Sequence, residues 1–371
     1  MAEFDFIVIG AGIAGASAAA HLAQHARVCI LEMEERAGYH TTGRSAASYE
    51  PYYGPGPVQI LTRAAGAFFN APPSGFADAA LFKPRGSLII EARGQEEDAA
   101  AFLKLAKDVR ELDEAELRAL YPALRPGYAL RGFFDESTGD LDVDLLHRSF
   151  LRQFKQAGGK LFVSAGVTAI NRTHGTWQVE TPQCVFSAKG LVNAAGAWGD
   201  HVARLAGVAP LGLVPKRRSI GVIPIAGFAD FMAWPFIVDC AESWYAKPQS
   251  GKMLVSSADV TPVEAHDAYA DDEAIALGIE RMMEATTLEV TRVEHRWGGL
   301  RTFTADKVPA VGYDPQAEDF FWLVGQGGYG IQSSPALSRL AAALALREPV
   351  PEDIAMSGLD LDDILPQRFR P

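Results

Sequence analysis

A glycine-rich turn near the start of the chain limits the fold more than any other feature of the sequence. An apolar run at 4–9 leads directly into Gly10, Gly12 and Gly15, and a second apolar run follows at 28–31. This order is typical of the strand, helix and return strand that bind a dinucleotide. Gly10 allows the tight turn, Gly12 lets a pyrophosphate approach the backbone, and Gly15 lets the helix pack closely against the strand.

The residue types around this turn indicate which dinucleotide fits. Ile13 and Ala14 begin the helix, so its N-terminal amides face the phosphates. Glu32 ends the second apolar run, where a carboxylate binds the ribose hydroxyls of the adenosine half. Because this carboxylate also repels a 2′-phosphate, the sequence argues against NADP.

Composition indicates an enzyme of the cytoplasm. The chain has 371 residues, enough for two or three domains, and 46 acidic against 34 basic residues give a net charge of −12. With no basic cluster, nucleic acid is not an expected partner. No signal peptide or transmembrane segment is expected, whereas a peripheral contact with the inner membrane stays open. Cys29, Cys184 and Cys240 are widely spaced and are expected to be reduced thiols.

The hydrophobic pattern predicts an α/β protein in which the domains are interleaved. Helices are predicted at 13–24, from Pro57 onward, at 143–156 and at 271–286, with a capping box formed by Asp113 and Glu116. Strands are predicted at 87–91, 160–163, 218–225 and 244–247. The nucleotide domain is assigned to 1–79, 138–207 and 296–371, and an inserted substrate domain with an antiparallel sheet to 80–137 and 208–295.

Two later segments indicate that the dinucleotide is FAD. The stretch 189–198 reads as an apolar strand that ends in small residues, which let the backbone lie against a cofactor. The strand 321–324 leads into the glycine-rich stretch 325–334 and then into a predicted helix, 335–346. A helix N-terminus at this point suits the negative charge of a reduced flavin.

The chain resembles the FAD-dependent amine and D-amino acid oxidoreductases, a family that includes glycine oxidase and sarcosine oxidase. The resemblance rests on the nucleotide turn and on the segments 42–47, 192–198, 299–301 and 327–330. It covers nearly the whole chain and is strongest to the D-arginine dehydrogenases. It implies a Rossmann-type, glutathione-reductase-like FAD-binding domain interleaved with an α+β substrate domain.

The resemblance also implies which residues bind FAD. Since no cysteine lies near Gly312, where some relatives attach the flavin, FAD is expected to be noncovalent. The implied cofactor-binding residues are Gly10, Gly12, Ile13, Ala14, Gly15, Glu32, Thr42, Gly43, Arg44, Ser45, Ala46, Val167, Ala195, Gly196, Trp198, Gly299, Arg301, Gly327, Gly328, Tyr329, Gly330 and Ile331.

A catalytic site for an amino acid follows from the same resemblance. Arg301 and Arg218 are expected to bind the substrate carboxylate, for which a guanidinium fork is well suited. Tyr245 is expected to assist them, Tyr53 to cover the substrate, and the carbonyl of Gly328 to receive the amine. The implied reaction is oxidation to an imino acid, which water converts to a 2-oxo acid and ammonia. Whether quinone or O2 accepts the electrons is not indicated.

The substrate side-chain end of the site departs from the D-arginine dehydrogenases. Ser87 stands where those enzymes have an acid that meets the guanidinium, and Ser48 stands in place of a histidine. A serine supplies no charge to a cationic side chain, so the sequence predicts a neutral substrate side chain and roughly tenfold or greater selectivity against D-arginine. The alternative, that Glu50 beside Tyr53 replaces the lost acid, stays open.

Other functions compete with this interpretation. An oxidase of sarcosine, glycine or proline type, an NAD-dependent dehydrogenase, and a flavin-containing electron-transfer subunit each remain alternatives. The eight histidines include one helical pair, His21 and His25, and no acid or cysteine cluster joins it, so no metal site is expected. No Gly-x-Ser-x-Gly sequence occurs, which argues against a serine hydrolase.

Overall fold

The computed structural model describes residues 2–370, in which strands and helices alternate along the chain. The strands are β1 (Ala2–Ile9), β2 (Val28–Leu31), β3 (Ser48–Tyr49), β4 (Phe82–Pro84), β5 (Ser87–Ala92), β6 (Arg110–Asp113), β7 (Ala129–Asp135), β8 (Gly139–Leu141), β9 (Lys160–Phe162), β10 (Ala169–Thr173), β11 (Thr176–Glu180), β12 (Val185–Asn193), β13 (Val214–Ile223), β14 (Phe236–Asp239), β15 (Tyr245–Gln249), β16 (Lys252–Ser256), β17 (Thr261–Pro262), β18 (His295–Phe303), β19 (Ala310–Tyr313) and β20 (Phe320–Val324).

The helices pack on the faces of these sheets. They are α1 (Ile13–Leu22), α2 (Gly56–Asn70), α3 (Glu96–Leu105), α4 (Glu114–Leu120), α5 (Val143–Gln156), α6 (Gly199–Leu205), α7 (Asp272–Ala285), α8 (Gly330–Leu346) and α9 (Glu352–Ala355). The capping box predicted at Asp113 and Glu116 begins α4, with both reciprocal hydrogen bonds present. Most predicted elements are found within a few residues of their expected bounds.

The first sheet carries the nucleotide-type unit. Its strand order is β10, β11, β12, β1, β2 and β9, and β20 joins β12. β1 pairs in parallel with both β12 and β2, and β9 extends β2 in parallel, as the return strand at 160–163 predicts. The carboxyl ends of β1, β2 and β12 therefore meet at one edge, where open α/β sheets bind ligands.

The second sheet is mainly antiparallel and carries the candidate substrate residues. Its order is β17, β13, β16, β15, β14, β5, β7 and β6, with β18 paired to β13 along nine residues. β5 and β14 form a parallel pair, which the sequence did not indicate. A small third sheet joins β3, β8 and β4. The fold is a Rossmann-type α/β sheet combined with an α+β unit.

Strand β18 bears on the predicted division into domains. The proposed boundary at residue 296 falls just inside β18, and this strand belongs to the second sheet. The first sheet otherwise draws its strands from the three segments assigned to the FAD-binding domain, at 2–31, 160–193 and 310–324. The interleaved division remains our proposal, with the last boundary moved beyond Phe303.

Two predicted elements have different bounds in the structure. The predicted helix at 335–346 begins instead at Gly330, so Pro335 lies inside α8. The missing proline N–H frees the carbonyl of Ile331, which accepts a hydrogen bond from the Ser334 hydroxyl at 2.9 Å. The strand predicted over 189–198 ends at Asn193, whose side-chain amide donates to the carbonyl of Gly199.

Candidate active site

A cavity of about 580 Å³ extends from the nucleotide turn to the second sheet. At one end it is lined by the loops that follow β1, β2 and β12, and at the other by side chains of β13, β15 and β18. The N-terminal residues of α8 complete the wall between the two ends. One continuous site can therefore hold a long cofactor with a small molecule beside it.

The glycine turn allows three pieces of backbone to approach closely at the nucleotide end. Gly10 has φ +101°, and a Cβ there would lie 2.6 Å from the carbonyl oxygen of Ala194. A Cβ on Gly15 would lie 1.9 Å from the carbonyl oxygen of Gly10. Larger residues at either position would separate α1 from β1 or β1 from β12, and the edge of the cavity would be lost.

Glu32 lies buried at the end of β2 and borders the cavity. Its two carboxylate oxygens accept hydrogen bonds from the amides of Ala11 at 2.8 Å and Glu34 at 3.0 Å. These bonds fix the carboxylate beside the glycine turn. Because an ionised carboxylate has about four acceptor sites, it can still accept hydrogen bonds from ribose hydroxyls.

The segment 41–47 crosses the cavity as a 3-10 turn (Thr41–Arg44) followed by extended chain. Thr42 Oγ1 accepts the amide of Ile13 at 2.9 Å and so caps the start of α1. The guanidinium of Arg44 is directed toward the second sheet, where it donates to Asp267 and to the carbonyls of Ala268 and Gly298. Arg44 thus joins the segment to the second sheet.

An ion pair between the buried Lys247 and the partly buried Asp140 supports the segment 41–47. The Lys247 ammonium donates to the carbonyls of Ala46 at 2.6 Å and Ala47 at 3.2 Å, and lies 3.0 Å from the Asp140 carboxylate. Asp140 also pairs with Arg85 at 2.6 Å. Burial lowers the pKa of Lys247, although Asp140 opposes this effect. No sequence pattern indicated this cluster.

The cavity lining includes all but three of the residues implied to bind FAD. Gly15, Gly43 and Tyr329 lie outside it. Gly15 packs against the backbone of Gly10, Gly43 against Gly38, and Tyr329 ends the turn before α8 and packs on Tyr53 and Phe303. For these three residues the structure gives packing roles in place of direct lining.

The residues of the cavity fit a flavin dinucleotide. The small residues Gly10, Gly12 and Ala195 leave the backbone open at the nucleotide end. At the other end, the buried side-chain nitrogen of Gln326 has no hydrogen-bond partner within residues 2–370. Polar flavin atoms would satisfy this donor. The N-terminus of α8, which starts at Gly330, adds a positive dipole end beside it.

The two candidate arginines lie on neighbouring strands of the second sheet. In the pairing of β13 with β18, Arg218 is opposite Gly299 and Arg301 is opposite Lys216. Arg301 and Gly299 are two residues apart and share a face, so Arg218 and Arg301 are diagonal neighbours on the face that lines the cavity. This register brings two positive charges to one place.

The guanidinium of Arg301 contacts Tyr53 and Phe303, and part of it remains free to bind a ligand. One nitrogen, Nη2, donates to the Tyr53 hydroxyl at 2.5 Å, and the guanidinium carbon lies 5.4 Å from the Phe303 ring centre. A Cβ on Gly328 would lie 2.4 Å from Nη2, so a larger residue there would displace the guanidinium. The other terminal nitrogen, Nη1, is buried and has no partner within residues 2–370. A substrate carboxylate would satisfy it.

Arg218 is oriented by neighbours on both sides. Its Nε donates to the carbonyl of Asp259 at 2.9 Å, and its guanidinium lies 5.7 Å from the ring centre of Tyr245. Tyr245 stacks on Phe236, with ring centres 5.4 Å apart. Arg218, Tyr245, Arg301, Tyr53 and Gly328 therefore line one part of the cavity, as the resemblance implies.

The side-chain end of the site differs from the sequence-based expectation. Ser87 is buried and does not line the cavity, because the Glu50 carboxyl covers it. The Ser87 hydroxyl lies 2.9 Å from each Glu50 oxygen. Glu50 and Ser48 both line the cavity. Ser87 therefore does not line this wall itself, and the geometry matches the alternative that the sequence left open, in which Glu50 supplies the acid.

Glu242 is a cavity residue that sequence reasoning missed. It lies in the loop between β14 and β15 with φ +50°, and it lines the cavity. Burial raises the pKa of its carboxyl, while Arg301 and Arg218 oppose this effect. Its position three residues before Tyr245 was the only feature of the sequence that could have indicated a place in the site.

Within residues 2–370, no group of three or more His, Cys, Asp or Glu side chains could hold a metal ion. Over the same range, no helix is long and apolar enough to cross a membrane.

Known proteins of similar sequence include two of stated function. Dimethylglycine dehydrogenase of Homo sapiens is 22% identical over 94% of this chain, which spans 43% of that enzyme's length. Glycine oxidase of Geobacillus kaustophilus is 24% identical over 68% of this chain and 65% of that protein. The "Uncharacterized oxidoreductase YurR" of Bacillus subtilis is 24% identical over 95% of this chain and 97% of its own.

Solved structures share the fold along the chain. Glycine oxidase from Geobacillus kaustophilus superposes with a TM-score of 0.82 at 20% identity, covering 97% of this chain and 99% of that chain. L-proline dehydrogenase from P. horikoshii gives a TM-score of 0.83 at 18% identity, covering 99% and 98%.

The family assignment rests on the length of the match as well as on the cavity. The family pattern described as FAD dependent oxidoreductase (DAO) matches residues 5–344. This span includes the glycine turn, both arginines and the start of α8. The chain therefore belongs to the DAO family of FAD-dependent oxidoreductases, and its cofactor is FAD.

Proposed function

We propose that this protein oxidises a D-amino acid to an imino acid, which water hydrolyses to a 2-oxo acid and ammonia. The observation that carries the proposal is the buried Arg301 nitrogen that has no partner within residues 2–370, on the same sheet face as Arg218. Two guanidinium groups suit a carboxylate better than a neutral ligand. The preference for the D configuration is supported by the resemblance of the site residues to the D-arginine dehydrogenases.

The protein groups bind and orient the substrate in this reaction. Arg218 and Arg301 bind the carboxylate, the Tyr53 hydroxyl stays on Arg301, and the Gly328 carbonyl accepts a hydrogen bond from the amine. Together these contacts fix the α-carbon, which accounts for much of the catalytic effect expected of such a site. FAD, when bound, accepts the α-hydrogen with its electron pair as a hydride.

The reaction balances with water as the other reactant. The α-carbon loses a hydride, the amine loses a proton, and the carbon–nitrogen bond becomes an imine. Water then adds to the imine carbon and ammonia leaves. An external acceptor, quinone or O2, would take up the two electrons, and noncovalent attachment of FAD is part of the proposal because no cysteine lies near Gly312 in the sequence.

Product analysis distinguishes this function from its alternatives. We expect a D-amino acid and an artificial electron acceptor to give 2-oxo acid and ammonia in equal amounts. A sarcosine-type oxidase would release an aldehyde and a primary amine, with no ammonia. An electron-transfer subunit would turn over neither substrate alone. Equal rates with D- and L-enantiomers, or an L preference, would contradict the proposed stereochemistry.

A further inference from the structure

The carboxyl group of Glu50 lies in the substrate end of the cavity, apart from the residues that bind the carboxylate. Both of its oxygens lie 2.9 Å from the Ser87 hydroxyl, and Ser48 forms another side-chain hydrogen bond with it. A single hydroxyl hydrogen cannot satisfy both oxygens at once. The carboxyl therefore keeps acceptor capacity toward the cavity.

The backbone of Glu50 is fixed from two directions. Its amide donates to the side-chain oxygen of Gln332 at 3.0 Å, and the Gln332 side-chain nitrogen donates to its carbonyl at 3.2 Å. The amide of Tyr53 also donates to the Glu50 carbonyl at 3.1 Å, which closes a tight turn. The ends of such a turn lie within about 7 Å, so it supplies both the tyrosine on Arg301 and an acid nearby.

Two other charged groups face Glu50, and neither neutralises it directly. Asp135 lines the same cavity and repels the Glu50 charge. Lys247 attracts it, but the Lys247 ammonium is bonded to Asp140 and to the carbonyls of Ala46 and Ala47. A cation that entered this end of the cavity would meet a carboxyl without a dedicated counter-charge.

We propose that Glu50 determines substrate specificity by binding a cationic group, guanidinium or ammonium, on the side chain of the amino acid. This inference rests on the proposed function, and it replaces the neutral preference that Ser87 alone indicated. A cation gains a charge-assisted hydrogen bond from Glu50, whereas an apolar side chain would desolvate the carboxyl without compensation.

The protonation of Glu50 makes this recognition depend on pH. Burial raises the pKa of the Glu50 carboxyl to about 8, Ser87 lowers it, Asp135 raises it further, and Ser48 and Lys247 lower it. Below this pKa the group is neutral, and a cation must displace its proton in order to bind. Binding of a cation should therefore strengthen as the pH rises through about 8.

The test compares substrates within one enzyme. We define the selectivity ratio as kcat/KM for D-arginine or D-lysine divided by kcat/KM for D-leucine. We expect a ratio of about 10 or more for the unmodified protein, since a charged group is being matched. Glu50→Gln should lower the ratio by about tenfold or more, and Ser87→Ala should lower it by less. Comparing D-arginine with D-lysine shows which cation fits better.

A matched control removes a carboxylate elsewhere. The side chain of Glu318 is 74% exposed and lies outside the cavity lining, so Glu318→Gln should leave the ratio unchanged. Between pH 6 and pH 9 the ratio should rise for the unmodified protein and stay flat for Glu50→Gln. The α-amine is common to all three substrates, so its own ionisation largely cancels in the ratio.

Several results would overturn the proposal. A ratio below one in the unmodified protein would show that the wall prefers apolar side chains. If Glu50→Gln lowers kcat/KM equally for D-leucine and D-arginine, Glu50 contacts a part of the substrate that all amino acids share. If D-leucine is oxidised but the ratio does not depend on Glu50, only this inference fails. If none of the three reduces the flavin of FAD-loaded protein, the proposed function fails with it.

Discussion

At the scale of single residues, the substrate end of the cavity is built from side chains that hold one another. Tyr53 bonds the guanidinium of Arg301, and Gly328 leaves the space that this guanidinium occupies. Arg218 is oriented by Asp259 and Tyr245. Because each group is held before a substrate arrives, loss of one should affect binding and rate more than stability.

Replacement of Arg301 tests its assigned contact with the carboxylate. Loss of a charge-assisted hydrogen bond costs about 1.5 to 3 kcal/mol, so Arg301→Ala should lower kcat/KM by roughly 10 to 150-fold. Arg301→Lys should also be impaired, because an ammonium cannot reproduce the guanidinium fork. Steady-state kinetics on FAD-loaded variants measures both effects. Normal turnover by Arg301→Ala would refute the assignment.

Gly328 tests whether the position of Arg301 matters as well as its charge. In Gly328→Ala the new Cβ would lie 2.4 Å from Arg301 Nη2, so the guanidinium must move. We expect kcat/KM to fall by about tenfold or more with FAD still bound. Gly56→Ala is the control, because a Cβ there meets nothing within 4 Å. Equal kinetics in the two variants would show that Arg301 adjusts without loss.

At the scale of helices and strands, the glycine, capping and hydrophobic patterns predicted those elements that depend only on neighbouring residues. The turn from β1 into α1, the cap of α4 and the bounds of α5 follow from neighbouring residues. The start of α8 was missed because Pro335 is typical of a first helical turn. The Ser334 hydroxyl compensates for the missing N–H by donating to the Ile331 carbonyl within the same helix, and the hydrophobic pattern does not report this hydrogen bond.

Contacts between elements were the part that the sequence could not supply. Glu50 and Ser87 are 37 residues apart and come from a turn and from β5, so their contact depends on how the small sheet meets the second sheet. The approach of Arg218 to Arg301 depends on the register of β13 with β18. The resemblance supplied the identities of these residues, but not their distances.

The support of segment 41–47 by Lys247 predicts a specific effect on stability. The Lys247 side chain is 3% exposed and paired with Asp140, so Lys247→Met leaves this partly buried carboxylate with Arg85 as its remaining ion-pair partner. Breaking a buried pair costs about 3 to 5 kcal/mol, whereas breaking an exposed pair costs about 1 kcal/mol or less. We expect a clearly lower free energy of unfolding, measured with denaturant.

Arg148→Met is the matched control for Lys247→Met. Arg148 pairs with Asp144 on α5, with side-chain exposures of 65% and 75%. Its loss should change the free energy of unfolding little. If both variants unfold at the same denaturant concentration, the buried pair does not stabilise the segment.

At the scale of the whole molecule, the cofactor cavity is shared by the two large sheets. The first sheet supplies the nucleotide turn and Glu32, and the second supplies both arginines. A ligand that contacts both should stabilise their arrangement, so added FAD should raise the Tm of protein that has lost it.

Noncovalent attachment of FAD predicts how the cofactor leaves. Heat or acid denaturation should release intact FAD into solution, with none retained by the precipitate. Glu32→Ala should weaken FAD retention, since the carboxylate is proposed to hold the ribose. Absorption spectra of supernatant and precipitate measure the distribution of flavin. Flavin that stays with the precipitated protein would contradict this prediction.

The central claim is that this cavity holds FAD beside an amino acid and oxidises it. The most direct measurement adds D- and L-amino acids, sarcosine and proline to the purified, FAD-loaded protein without oxygen, and follows the flavin absorption. We predict that D-amino acids bleach the flavin and that their L-enantiomers do so more slowly. A flavin that keeps its full absorption with every amino acid and amine would contradict the account.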